Sequence, residues 1–269
     1  MSEETTPTAP EKLVAGLLKA RRVVVFSGAG VSAESGIATF RGAADSVWSK
    51  MNPSEMATPE AWKNDKELVW AWYEARRGEV MRAQPNAGHL AIAKLADTLQ
   101  GIHGEAVRVD VITQNVDNLH ERGGSASVLH LHGSLFAPRC FACQRPSDFE
   151  TAEPDGNSMS LTPPCCQHCG GYIRPGVVWF GEALPQDVWR DAEDLVDLCD
   201  AMLVVGTSGV VFPAAELPIQ AARLGKFTAE VNPSSSNLTS RMDCFWPNTA
   251  AAGLPALLEA LNASKLQGG

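Results

Sequence analysis

No apolar run in this sequence comes near the roughly 18 residues that a membrane-crossing helix takes. A transmembrane span is therefore not expected. A basic excess is missing too: 22 lysines and arginines stand against 31 acidic residues, a formal net charge of −9. That balance argues against direct nucleic-acid binding, which calls for a basic stripe. It leaves room for a positively charged partner such as a lysine-bearing tail. The opening residues, MSEETTPTAPEK, follow neither the basic-then-apolar plan of a secretory signal nor the Arg-rich plan of a transit peptide. Residues 1–10 and 263–269 are expected as flexible tails, and a soluble cytoplasmic protein is the expectation. Internal repeats and low-complexity tracts are absent. A disulfide framework is not expected either, because the cysteine count of seven is odd and no secretion signal accompanies it.

Apolar residues make up 45% of the 269, enough for a substantial core. VVVF at 23–26 is a buried-strand run ending at a glycine turn. Further strands are expected over 107–113, 201–207 and, more weakly, 226–232. Helical patterns occupy 11–22, 87–99, 186–199 and 214–225. Strands alternating with helices predict an α/β fold with a Rossmann-like, doubly wound parallel sheet. In that architecture ligands sit beyond the carboxyl ends of the strands, and those ends read SGAG, TQNVDNLH, GTS and VNPSS. Two segments break the alternation. Residues 43–82 hold four of the seven tryptophans and look helical, whereas 135–174 is rich in Pro, Gly and Cys with little regular pattern. Both are expected as insertions forming a smaller lobe. The main domain is then discontinuous, made of 11–42, 83–134 and 175–262.

Gly28-x-Gly30-x-x-Ala33 fits a dinucleotide fingerprint after a strand, although glycines there also serve as a plain tight turn. The acidic residue that usually follows about 20 positions on, at a strand end, is missing. Asp45 is near that distance but sits in no strand-like context. Cys140-x-x-Cys143 and Cys166-x-x-Cys169, separated by 22 residues, suit a tetrahedral zinc cage, with redox or fortuitous cysteines as the other reading. Cys165 and His168 leave the ligand set open; Cys166 is preferred because it keeps the two-residue gap. Four thiolates fill the coordination sphere, which predicts a structural metal.

Gln114, Asn115 and Asp117 share one loop after a strand and suit sugar hydroxyls and a carboxamide; the plainer alternative is a helix cap. His130 and His132 fall on one side of an extended segment, and His132 before a glycine is a candidate general base. Tyr73 and Arg76 share a helix face. A hydroxyl and a guanidinium there can grip a carboxylate, or simply face solvent.

Taken together, GAGVSAESGIATFR, TQNVDNLH, HLHGS, the paired CxxC, RPGVVWFGE, GTS and VNPS resemble the sirtuins in content and order over residues 23–233. The resemblance implies an NAD-dependent protein lysine deacylase, with NAD consumed and one structural zinc. Free lysine, nicotinamide and an O-acyl-ADP-ribose would be the products. It implies that Gly28, Ala29 and Gly30 approach the phosphates, Ser32 and Glu34 line the pocket, and Phe40 and Arg41 cover the ribose. Gln114, Asn115 and Asp117 would hold ribose and carboxamide, and His132 would act as base, with Asn115 and Asp117 beside it as catalytic residues. Gly206, Thr207, Ser208 and Asn232 would take the adenosine half, replacing the missing acid, and Ala250 falls at the adenine by alignment to Pro255. A strand edge at 177–182 would receive the peptide through backbone bonds, with Val178, Gly181 and Glu182 as substrate-binding residues and Trp179 and Phe180 flanking the lysine stem, or serving only as core aromatics.

The Tyr73–Arg76 pair resembles the class III branch, which implies removal of succinyl and malonyl groups alongside acetyl. The chain departs from many relatives at Ala38, where proline is common, and at Asn248, where a glycine is common. Acylated protein lysines are the expected partners and a monomer the expected state. An ordinary NAD oxidoreductase, a zinc-ribbon binding module and a protein ADP-ribosyltransferase are the rival readings.

Overall fold

The computed structural model describes residues 7–37, 51–104, 106–147 and 160–267, with side chains through 264. Its strands are β1 (Arg22–Ser27), β2 (Arg108–Thr113), β3 (Val128–His130), β4 (Gly133–Cys140), β5 (Ile173–Val177), β6 (Ala201–Val205), β7 (Phe227–Asn232) and β8 (Cys244–Pro247). The helices are α1 (Glu11–Leu17), α2 (Gly30–Ala33), α3 (Pro53–Met56), α4 (Pro59–Asn64), α5 (Lys66–Arg82), α6 (Ala87–His103), α7 (Leu119–Arg122), α8 (Gln186–Leu198), α9 (Glu216–Arg223) and α10 (Ala250–Gln267).

Six strands form one sheet in the order β3-β2-β1-β6-β7-β8, every pair parallel. The chain winds outward from β1 through β2 to β3, then returns to β6 on the other side of β1 and winds outward again. The switch point lies between β1 and β6, which is where a doubly wound sheet opens a crevice.

Strand side chains alternate between two covered faces. Val23, Val25, Val111, Leu203, Val205 and Val231 pack with α1, α6 and α10. Val24, Phe26, Ile112, Met202 and Val204 pack with α8 and α9. α6 is set by its ends: the Asn86 side chain accepts from the Gly88 amide at 2.9 Å, and Gly104 closes the helix at φ 69°. Among the described residues no helix is long and apolar enough to cross a membrane.

A third core belongs to the smaller lobe. Trp62, Trp70, Trp72 and Trp179 cluster there with Cys140, Cys166 and Ile173. β4 and β5 pair antiparallel, from Gly133 opposite Val177 to Cys140 opposite Ile173. The expected boundaries at 135 and 174 thus fall inside strands of one hairpin-like stem. It carries the cysteines at one end and residues next to His132 at the other. The 11–22 helix is shorter than expected and ends at Leu17. β3 falls at the start of the extended segment expected over 129–135, and β4, β5 and β8 are additions to the expected strands.

Candidate active site

A cavity of about 850 Å³ opens over the carboxyl ends of the parallel strands, between the sheet and the smaller lobe. From β1 it takes Gly28, Ala29 and Gly30; from β2, Gln114, Asn115 and Val116; from β6, Gly206, Thr207 and Ser208; from β7, Asn232 and Ser234 to Asn237. His132 stands just past β3. The smaller lobe adds Trp72, Tyr73 and Arg76 from α5, Val177 at the end of β5 and 178–182 after it.

The floor is built from turns pressed together. A Cβ on Gly30 would sit 2.7 Å from the Gly206 carbonyl oxygen. One on Gly206, at φ +60°, would sit 2.4 Å from the Val31 nitrogen. Only glycine permits that approach. The Gly28 and Gly30 amides are already used, donating to Val205 O at 3.0 Å and Gly206 O at 2.8 Å. Across the switch point, Gln114 Nε2 donates to Thr207 Oγ1 at 2.9 Å. Asn232 Nδ2 donates to the Thr207 carbonyl at 3.0 Å.

Two histidines clamp the 114–117 loop through its backbone. His130 Nδ1 donates to the Asn115 carbonyl and His132 Nδ1 to the Gln114 carbonyl, both at 2.9 Å. A carbonyl only accepts, so each Nδ1 carries hydrogen. For His132 the lone pair is then on Nε2, which has no protein partner among the described residues. Burial lowers the pKa of His132, with the Gln114 contact opposing it. His130 differs: its Nε2 meets Glu121 Oε1 at 2.6 Å. Burial opposes its charge, yet that carboxylate and the Asn115 carbonyl prevail and raise its pKa.

Behind Asn115 lies a buried polar network. Asn115 Nδ2 donates to Ser32 Oγ at 3.1 Å, and Ser32 Oγ donates to Asp117 Oδ2 at 3.0 Å. Asp117 Oδ1 accepts from the Leu119 amide at 3.0 Å. Burial raises the Asp117 pKa, with those bonds opposing it. Ser32 and Asp117 support the cavity rather than line it. The Thr113 hydroxyl accepts from the Asn115 amide at 3.0 Å and from Ser27 Oγ at 2.8 Å. Ser27 Oγ also meets His120 Nε2 at 2.8 Å. The sequence reading does not single out Ser27, Thr113 or His120; for Ser27 and Thr113 the one available signal is a polar residue at the end of an apolar strand.

Several expectations need correction. β5 ends at Val177, so 178–182 is a turn and not a strand edge. Its amides are occupied: Val178 N donates to His132 O, Phe180 N to Ala57 O, and Trp179 N to Glu182 Oε2, each at 2.8 Å. Trp179 is buried against Trp62 and Phe141, with centroids 5.7 and 6.5 Å away. Phe180, by contrast, is half exposed at the cavity mouth. The Glu182 carboxylate is held by Arg174 at 2.5 and 3.0 Å. Glu34 points elsewhere: it accepts from Thr249 Oγ1 and the Ala251 amide, each at 3.0 Å, capping α10. Ala250 is buried in the core as the first residue of α10 and does not line the cavity. Phe40, Arg41, Ala38 and Asp45 lie outside the described residues.

The cysteines form a separate group. Sγ of Cys140, Cys143, Cys166 and Cys169 all lie within 4.8 Å of one another. Cys140–Cys169 are 3.5 Å apart and Cys143–Cys166 3.8 Å. A tetrahedral zinc with bonds of about 2.3 Å spaces its sulfurs about 3.8 Å apart, so the four fit one zinc ion. Cys165 is exposed and outside the group. None of the four lines the cavity.

The Sir2 family sequence profile matches residues 28–213, more than half of the chain. The chain belongs to the Sir2 family. Among its relatives, an NAD-dependent protein deacylase of Corynebacterium glutamicum is 45% identical over 265 residues, covering 98% of this chain and all of that one. A Sir2 homologue crystallised as an NAD complex is 41% identical with a TM-score of 0.85, covering 97% and 98% of the two chains. A Sir2 mutant with a deacetylated p53 peptide and 3'-O-acetyl-ADP-ribose is 30% identical with a TM-score of 0.76, covering 93% and 97%. In this chain the cleft is built from strand ends at the switch point, with His132 at its junction to the smaller lobe.

Proposed function

We infer that this chain is an NAD-dependent protein lysine deacylase, and we propose that it accepts acyl groups ending in a carboxylate, succinyl and malonyl, as well as acetyl. The first part follows the relatives' activity. One observation carries it to this chain: His132, its Nε2 lone pair open, shares a cavity with the strand-end donors and glycine turns of a nucleotide site.

The residues present fit NAD. Gly28, Gly30 and Gly206, with only the Ala29 methyl among them, give a floor nearly free of side chains, on which the phosphates would lie. Thr207, Ser208 and Asn232 would hold the adenosine half, and Gln114 and Asn115, with Ser32 and Asp117 behind them, the ribose and carboxamide. Bound NAD supplies a ribose carbon made electrophilic as nicotinamide leaves. His132 takes a proton at Nε2, a role that needs the neutral ring, and burial keeps the ring neutral. The Val178 amide, bound to the His132 carbonyl at 2.8 Å, sets the lysine-facing turn beside that base. The zinc site supports the β4–β5 stem.

Acyl choice rests on Tyr73 and Arg76, which line the cavity from one face of α5. Arg76 lies with its guanidinium 5.3 Å from the Trp72 ring centroid. A charge-assisted hydrogen bond contributes about 1.5–3 kcal/mol. Arg76→Met should therefore lower kcat/KM for a succinyl-lysine peptide about ten- to a hundredfold more than for its acetyl counterpart. Equal losses on the two peptides refute the acyl assignment and leave the deacylase assignment standing.

A further inference from the structure

Tyr73 is buried at the cavity wall, and its phenolic oxygen accepts a hydrogen bond from the indole Nε1–H of Trp179 at 3.1 Å. Conjugation keeps a phenolic O–H near the plane of its ring, so the hydrogen has two resting positions. Because the oxygen accepts from Trp179, its own hydrogen cannot point at that indole. The hydrogen is directed elsewhere, and no protein acceptor for it is described at this cavity-lining residue. A buried donor left unmade is costly, so an acceptor arriving on a ligand completes it. Burial raises the Tyr73 pKa above its ordinary value, against the Trp179 bond and the nearby Arg76 and Arg174, and the hydroxyl remains a donor.

Trp179 is itself fixed from several sides. The Arg174 guanidinium lies 3.3 Å from its ring centroid. Arg174 is fully buried and donates to both Glu182 oxygens, to Val177 O at 2.9 Å and to Pro175 O at 3.3 Å. Glu182 in turn accepts the Trp179 backbone amide at 2.8 Å. Trp62 and Phe141 pack against the indole. The ring cannot swing without breaking this set. An ordinary core tryptophan would need the packing but not an N–H aimed at a cavity-lining hydroxyl.

We propose that Trp179 is a positioning residue for acyl selectivity: its indole N–H orients the Tyr73 hydroxyl as a donor to a carboxylate-bearing acyl group. Arg174 and Glu182 hold Trp179 in place. The inference rests on the acidic-acyl reading of Tyr73 and Arg76.

Trp179→Phe keeps an aromatic ring and removes only the N–H donor with part of the ring system. The ratio of kcat/KM on succinyl-lysine to that on acetyl-lysine peptide should fall about tenfold, chiefly through KM of the succinyl peptide. A packing role alone lowers both substrates together, and an unchanged ratio overturns the inference. Binding of the N–H is read separately by 1H–15N spectra of the wild-type protein and Tyr73→Phe. The Trp179 indole resonance should move upfield in the variant, and an unmoved resonance overturns the inference even if Trp179→Phe fails to fold. Succinyl activity that depends on Arg76 but not on Trp179 sinks this inference alone. Wild-type protein without Arg76-dependent succinyl activity sinks the acyl reading and this inference with it.

Discussion

His132 donates its Nδ1–H to the Gln114 carbonyl 2.9 Å away, and that contact decides which nitrogen of the ring can take a proton. The same bond ties the base to the loop that would hold the ribose. His132→Asn should lower kcat by about two to four orders of magnitude. Circular dichroism and thermal melting should show an intact fold. Loss of fold instead would make His132 a structural clamp.

The pH dependence follows from burial. Because the His132 pKa lies below 6.5, the base is neutral above its pKa and protonated below it. The acid limb of kcat/KM should therefore inflect below pH 6.5, with a plateau through neutrality. An inflection above 6.5 contradicts the burial argument.

His89 and His120 lie under the site with ring centroids 5.0 Å apart. Burial lowers the pKa of His89 to about 4. Burial, with His89 and His130 nearby and Glu121 opposing, lowers that of His120 to about 3. Unfolding frees both to protonate near 6.5. Their contribution is complete above pH 6.5 and is lost as the pH falls toward 4 and then 3, since the unfolded chain binds more protons there. Each unit of depression corresponds to ~1.4 kcal/mol. Chemical denaturation from pH 7 to pH 4 should show falling stability in the wild type and a shallower fall in His120→Asn. Parallel curves contradict this.

The metal prediction separates two adjacent cysteines. Cys165→Ser should keep one zinc per chain by elemental analysis, and Cys166→Ser should lose it. Zinc loss should melt the smaller lobe and abolish activity through unfolding. Restoration of activity by metals that suit open catalytic sites but not thiolate cages would argue against a structural role.

The strand-end pattern makes the large domain legible: four buried runs, each followed by small or polar residues, point to a cavity beyond the strand ends. The cysteine spacing does the same for the metal group, and the four-sulfur group includes Cys166 and not Cys165, which favours the choice that keeps the two-residue gap. What escaped was short or three-dimensional. β8 has only four residues and ends in a proline, too little for a periodic signal. The 177–182 segment reads as strand because it is apolar. Its amides are taken by His132, Ala57 and Glu182, from distant parts of the chain or from its own turn. The pocket role of Glu34 is one the resemblance implies; only the fold brings the start of α10 against it.

The central claim is that acyl removal and NAD cleavage are one coupled reaction in this cleft. Purified protein should be incubated with NAD and an acylated-lysine peptide, and all products counted by mass spectrometry. One nicotinamide and one O-acyl-ADP-ribose should form for each lysine freed, none of them in His132→Asn. Lysine freed while NAD stays intact, or NAD reduced with nicotinamide retained, would contradict the account.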